Sequence, residues 1–312
     1  MGCLLAAALL GGALAPSAGS GAPAATRVEI VLGLRERGEP TALWVEMARR
    51  HARPEAADLG AELPARPFDE DELRWVERIV PRAARWESLA GEVAAPFHPI
   101  PPPPHVLVVL GNQGADDAFT HDASTIGFDL SKLSALYGPA ADEGNAARVD
   151  RFFRHEMTHL MQKAWLARHP FETGSPWREA LLDLWLEGLG HWHSLSDPWR
   201  ATAAGPGPKA AAALAALEPR FVSRMAALAC APPAEARRLM ADLSRGAFEA
   251  KWGALPTALW VEAEASRDQA ALRAFVQAGP EGVLDLAGRN LSPAPRAVLD
   301  EARRAAAICR GR

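Results

Sequence analysis

Read for its apolar and polar positions, the chain begins with "RVEIVLGL" (Arg27–Leu34), where β-branched and apolar residues alternate with polar ones, so a strand is expected there. "PTALWVEMARRHA" from Pro40 and "FDEDELRWVERIVPRAARWESLAG" from Phe68 carry helical spacing. The acidic "DEDE" suits the positive end of a helix dipole, and Pro81 should bend or end the second helix. "PFHPIPPPP" (Pro96–Pro104) is a stiff connector that delivers the chain into "HVLVVL" (His105–Leu110), a buried strand. The segment "GNQGADDAFTHDA" reads as loop, and "STIGFDL" (Ser124–Leu130) as a further strand. Beyond Ala146 nearly all of the pattern is helical, broken at "HPFETGSP", "SDPWRATAAGPGP", "CAPP", "WGALP" and "RNLSPAP". A small sheet early and a helical remainder predict an α+β fold, predominantly helical. "PTALWVE" occurs at residues 40–46 and again at 256–262, but the flanks differ, so no repeat is inferred.

The first 25 residues follow a different rule. The apolar run "CLLAAALLGGALA" (Cys3–Ala15) and the small-residue stretch after it match a secretory signal and are too short to span a bilayer. Were translation to start further upstream, Cys3 would become a candidate lipidated cysteine, the one membrane attachment the sequence offers. The expected organisation is a signal peptide or lipoprotein signal over 1–25, a strand and helix region with the Pro-rich connector over 26–104, and the main domain over 105–310. Export would leave Cys230 and Cys309 in an oxidising compartment, where they are free to pair. A net charge of −4 gives no reason to expect nucleic acid as a partner.

Candidate chemistry lies in "FFRHEMTHLM" (152–161). His155 and His159 stand at i and i+4, which stacks two imidazoles on one helix face where they can share a Zn²⁺. Glu156 projects beside them as a general base for a metal-bound water. Phe153, Met157, Thr158, Leu160 and Met161 are uncharged, as a buried helix requires. The extended metzincin pattern would need glycine at 162 and histidine at 165, and Gln162 and Trp165 exclude it. "WREALLDLWLEGLGHWHS" (Trp177–Ser194) supplies the third ligand: Glu179, Asp183, Glu187 and His191 form one polar stripe on an otherwise apolar helix. Glu187 is the best candidate, with Gly188 and Gly190 beside it allowing close backbone approach.

"HEMTHLMQ" followed by "WLEGLGHW" resembles the gluzincin-type zinc peptidases of the peptidase MA-like group, over roughly residues 105–290. The resemblance implies a zincin-like fold with a helical C-terminal lobe, zinc as cofactor, His155, His159 and Glu187 as ligands and Glu156 as base. It also implies a sheet whose edge strand, expected at Ser124–Leu130, lines the cleft beside the active-site helix. His191 departs from the aspartate that thermolysin-like sequences carry four residues after the glutamate ligand; Asp183, one turn earlier, is a candidate to orient a ligand histidine. Tyr137, His191 and His193 are the candidate oxyanion donors, His191 first. His121 with Asp116, Asp117 and Asp122 reads as a polar loop in preference to a second metal cluster. The function expected is an exported zinc metallopeptidase acting on peptide or protein substrates. The alternatives are a non-catalytic, zinc-stabilised binding protein and a zinc hydrolase of a non-peptide amide.

Overall fold

A computed structural model describes residues 26–51, 63–114, 116–202 and 205–309; the expected signal, with Cys3, lies outside the described residues. Four strands, β1 (Arg27–Leu32), β2 (His105–Gly111), β3 (Ala118–Thr120) and β4 (Thr125–Asp129), form one mixed sheet in the order β1-β2-β4-β3. β1 and β4 flank β2 in parallel, and β3 runs antiparallel to β4. Apart from a short antiparallel ribbon that pairs Ala201–Thr202 with Gly205–Pro206, the other elements are helical, so the α+β class read from the pattern holds.

Strand alternation sends β2 to both faces of this sheet. Val108 and Leu110 share a core with Ile126 and Phe128, while Val109 faces the other way, toward Trp44 and Met47 of helix α1 (Ala42–Arg50). Gly127 keeps that second face thin: a Cβ there would lie 2.6 Å from the Phe119 ring. Pro81 does interrupt its helix. α2 (Glu70–Ile79) ends in the 3-10 turn Val80–Arg82 before α3 (Ala83–Ala94) begins.

The edge strand is not where the resemblance put it. β4, within Ser124–Leu130, lies between β2 and β3. The edge is β3, drawn from the segment read as loop. Three residues are too few to show a period, and what defines the strand is a tight turn. His121 N donates to Thr125 O, while Asp122 accepts from Ser124 N and Thr125 Oγ1. After β4, Asp129 caps α4 (Leu130–Tyr137) by accepting from Ser131 N and Lys132 N.

Two long helices follow, α5 (Asn145–Arg168) and α6 (Pro176–Ser194). α5 lies on the sheet through an aromatic stack: the Trp86 indole sits 5.7 Å from the Phe128 ring and 4.7 Å from that of Phe153, nearly parallel to both. The stack is fixed at its polar end by Asp150, which accepts from Trp86 Nε1, Arg82 Nη1 and Arg85 Nε. α6 runs between α5 and α9 (Ala254–Ala265), a helix buried along almost its whole length. A disulfide joins Cys230, after α7 (Pro208–Leu228), to Cys309, the last residue of α12 (Pro293–Cys309).

Asp150 is the buried acceptor on which the α3–α5 contact turns. Asp150→Ala should leave the Trp86 and Arg82 donors without a partner and lower the unfolding free energy by about 3 kcal/mol, read from denaturant midpoints.

Candidate metal centre

The spacing of His155 and His159 turns both rings to one side of α5, where their Nε2 atoms stand 3.0 Å apart. Glu187 reaches them from α6: Oε2 is 3.6 Å from His155 Nε2 and Oε1 is 3.6 Å from His159 Nε2. Among the described residues this is the one group of three His, Cys, Asp or Glu side chains that could hold a metal ion. The two glycines beside Glu187 make the approach feasible. A Cβ on Gly190 would sit 2.8 Å from His155 Cε1, and one on Gly188 would sit 2.4 Å from Thr257 Cγ2 of α9.

His159 is oriented by Gln162, whose side chain is fully buried. Gln162 Nε2 donates to the main-chain oxygens of Trp185 and Leu186, at 2.9 and 3.2 Å. Because carbonyls only accept, the amide can point one way alone, and its Oε1, 2.9 Å from His159 Nδ1, receives the ring proton. His159 Nε2 is thereby left as a bare lone pair facing Glu187. The same amide ties α5 to α6 immediately before Glu187. Sequence reading passed over Gln162 except as a non-glycine; the available signal was a polar residue one turn past His159 on a buried face.

The electrostatics of His159 and Glu187 suit ligation. Burial pulls His159 down to about 4 against the attraction of the Glu187 carboxylate, with His155 adding to the depression. Burial alone would raise Glu187, but its hydrogen bond with His155 and the charges of His159 and His155 hold it well below the usual carboxylate range. For His155, burial is outweighed by the hydrogen bond to Glu187 and by the charges of Glu156 and Glu187, so its pKa rises. A neutral imidazole and an ionised carboxylate are the forms that bind a cation. Glu156 is pushed up to about 7 by burial, His155 opposing and Glu187 reinforcing the shift.

These groups open into a cavity of about 900 Å³. Its lining includes β3, the preceding Asp117, Tyr137, and Ser244, Arg245, Gly246, Phe248 and Lys251. Lys163 Nζ fastens the edge strand to α5 by donating to Thr120 Oγ1 at 2.8 Å and Asp122 O at 3.0 Å. Tyr137 lines the cavity, and its hydroxyl donates to Asp117 Oδ2 at 2.5 Å. His191 is buried with Nδ1 3.5 Å from Glu187 Oε2 and Nε2 2.7 Å from Lys251 Nζ. Burial lowers its pKa well below the ordinary value, with the charges of His155 and Lys251 acting in the same direction. His193 points away to Thr158 Oγ1, 2.6 Å from its Nδ1. Asp183 shares the cavity but accepts from Ser244 Oγ, and no hydrogen bond joins it to either ligand histidine. His121 pairs with Glu46 at 3.4 Å and stays outside the metal group.

Comparisons with family models, with curated proteins and with solved structures find no match to this chain.

Gln162→Leu keeps the volume and removes the acceptor for His159 Nδ1. It should weaken metal affinity by about 10–100-fold in a chelator-competition titration, with little change in fold by circular dichroism.

Proposed function

We propose that this chain is a zinc-dependent metallopeptidase that hydrolyses peptide bonds, with Glu156 as general base. The observation that carries the reading is the convergence of two imidazoles and one carboxylate. Zinc–ligand distances of about 2.0–2.2 Å at tetrahedral angles correspond to donor–donor separations of about 3.3–3.6 Å. The two Nε2 atoms are 3.0 Å apart and each stands 3.6 Å from a different oxygen of Glu187, so one ligand atom from each residue lies within reach of a shared ion. Two imidazoles and one carboxylate also form the donor set of a catalytic zinc site, which keeps its fourth position open, whereas structural sites are closed by four protein ligands.

Zinc bound there would polarise the scissile carbonyl and lower the pKa of the attacking water. The protein groups do the rest. Glu156, beside His155 and lining the cavity, accepts a proton from that water and returns it to the leaving nitrogen. One water is consumed, a carboxylic acid and an amine are released, and the glutamate ends unchanged. β3 pairs on one side only, with β4, so its outer edge offers main-chain donors and acceptors to an extended peptide. These features agree with the gluzincin resemblance of "HEMTHLMQ" and "WLEGLGHW".

Export is part of the same reading. It rests on the signal-like segment of residues 1–25 and on the Cys230–Cys309 disulfide, a bond that persists in oxidising compartments. No helix among the described residues is long and apolar enough to cross a membrane. The partner envisaged is a peptide or protein substrate.

Glu156→Gln tests the chemistry while sparing the ligands. On a mixed peptide library with zinc supplied, the variant should retain its metal and lose about 10²–10⁴-fold in turnover, because the base is gone. Wild-type turnover in the variant would remove Glu156 from the mechanism. Stoichiometric zinc with no turnover by the wild type would favour a zinc-stabilised binding protein, and turnover confined to non-peptide amides would reassign the substrate.

A further inference from the structure

The inference drawn here rests on the metallopeptidase reading and deepens it. Amide hydrolysis builds negative charge on the scissile carbonyl oxygen, and a preorganised donor at that atom is a large contributor to rate. Each of the three donors suggested by sequence is either engaged elsewhere or buried. The Tyr137 hydroxyl gives its one proton to Asp117, and His193 is turned to Thr158. His191 is clamped: its ring stacks on Phe248 at 5.5 Å and 6°, and meets the edge of His155 at 5.1 Å. An ammonium only donates, so His191 Nε2 must accept from Lys251 Nζ at 2.7 Å. The single proton of the neutral ring then sits on Nδ1, a buried atom that makes no hydrogen bond and has Glu187 Oε2 at 3.5 Å. His191 Nε2 thus has no proton for a substrate carbonyl, and the Nδ1 proton is buried beside Glu187.

Lys251 does. Its ammonium carries three donors, of which one is spent on His191; the other two make no hydrogen bond among the described residues, and the Phe248 ring centre lies 5.9 Å from Nζ. The side chain lines the same cavity as His155, Glu156, His159 and Glu187. Its backbone closes the 3-10 turn Phe248–Ala250, and Phe248 is wedged between His191 and Trp199. Turn, aromatic wedge and histidine together hold the ammonium in place. We propose that Lys251 is the donor to the scissile carbonyl oxygen and that His191 is a positioning residue, accepting from Lys251 through Nε2 while its ring is held between Phe248 and His155. Nothing in the local sequence marks Lys251, which lies 60 positions beyond His191 in "EAKWG".

The test compares zinc-loaded wild type, Lys251→Met and Lys251→Arg. Three quantities are read: peptide turnover, calorimetric affinity for N-phosphoryl-Leu-Ala, and the ¹⁵N resonances of the His191 imidazole. The phosphoryl group of the dipeptide carries in its ground state the tetrahedral charge that a reacting carbonyl only develops. Lys251→Met should lower kcat by about 10²–10³-fold at unchanged zinc content and nearly unchanged KM. It should weaken the phosphoryl dipeptide by a similar factor and release His191 from its Nδ1-protonated tautomer, while Lys251→Arg recovers part of each effect. Wild-type kcat and unaltered phosphoryl-dipeptide affinity in Lys251→Met, beside an inactive Glu156→Gln, would overturn the role of Lys251 and leave the peptidase reading intact. A wild-type protein that neither cleaves peptides nor binds the phosphoryl dipeptide would remove that reading, and the role of Lys251 with it.

Discussion

Two imidazole nitrogens 3.0 Å apart, both facing one carboxylate, form the contact on which the surrounding architecture depends. Half of it follows from helix geometry, since residues four apart share a face. The other half needs a second helix at the right height and distance, because a carboxylate held among buried groups without a compensating cation costs several kcal/mol. The packing of α6 meets that demand. Gly190 lets the His155 ring lie against its backbone, Gly188 lets Thr257 of α9 press from the opposite side, and the Gln162 amide joins α5 to the carbonyls just before Glu187.

The sheet and the helical remainder contribute to this contact in different ways. The sheet anchors α5 through the stacked rings of Phe128, Trp86 and Phe153, with Asp150 holding the indole by its nitrogen. Lys163 then pins β3 to the same helix, so an unpaired strand edge comes to rest alongside the cluster. From the C-terminal side, the segment Ser244–Lys251 closes the cavity and brings a cation, Lys251, to a site dominated by carboxylates and imidazoles. In the proposed function the two parts would divide the work: the first would offer an edge to an extended peptide, and the last would set the charge around Glu187.

Much of this was legible in the sequence, for identifiable reasons. The α5 cluster is local, so the i, i+4 spacing of His155 and His159 carried it. Glu187 was readable because a polar stripe on a mostly apolar helix needs a partner, and neighbouring glycines suggested where. Long buried strands such as His105–Gly111 show as unbroken apolar runs. β3 was not legible, because its three residues are defined by a turn and by pairing with β4 instead of by a period. That strand covers β4, so Ser124–Leu130, the edge that the resemblance implies, lies inside the sheet. Lys251 was not legible either, because its position depends on how a loop returns to α6 across 60 residues. Gln162 fell between these cases: its residue type and burial were visible, but its partners are main-chain oxygens of another helix, which no side-chain pattern announces.

The central claim is that His155, His159 and Glu187 jointly bind zinc, and X-ray absorption at the zinc edge on protein purified with added zinc tests it most directly. The account predicts one zinc per chain with a first shell of two imidazole nitrogens and further oxygen donors at about 2.0–2.2 Å, and no sulfur. A protein that retains no zinc after dialysis, or a shell lacking imidazole scattering, would contradict it.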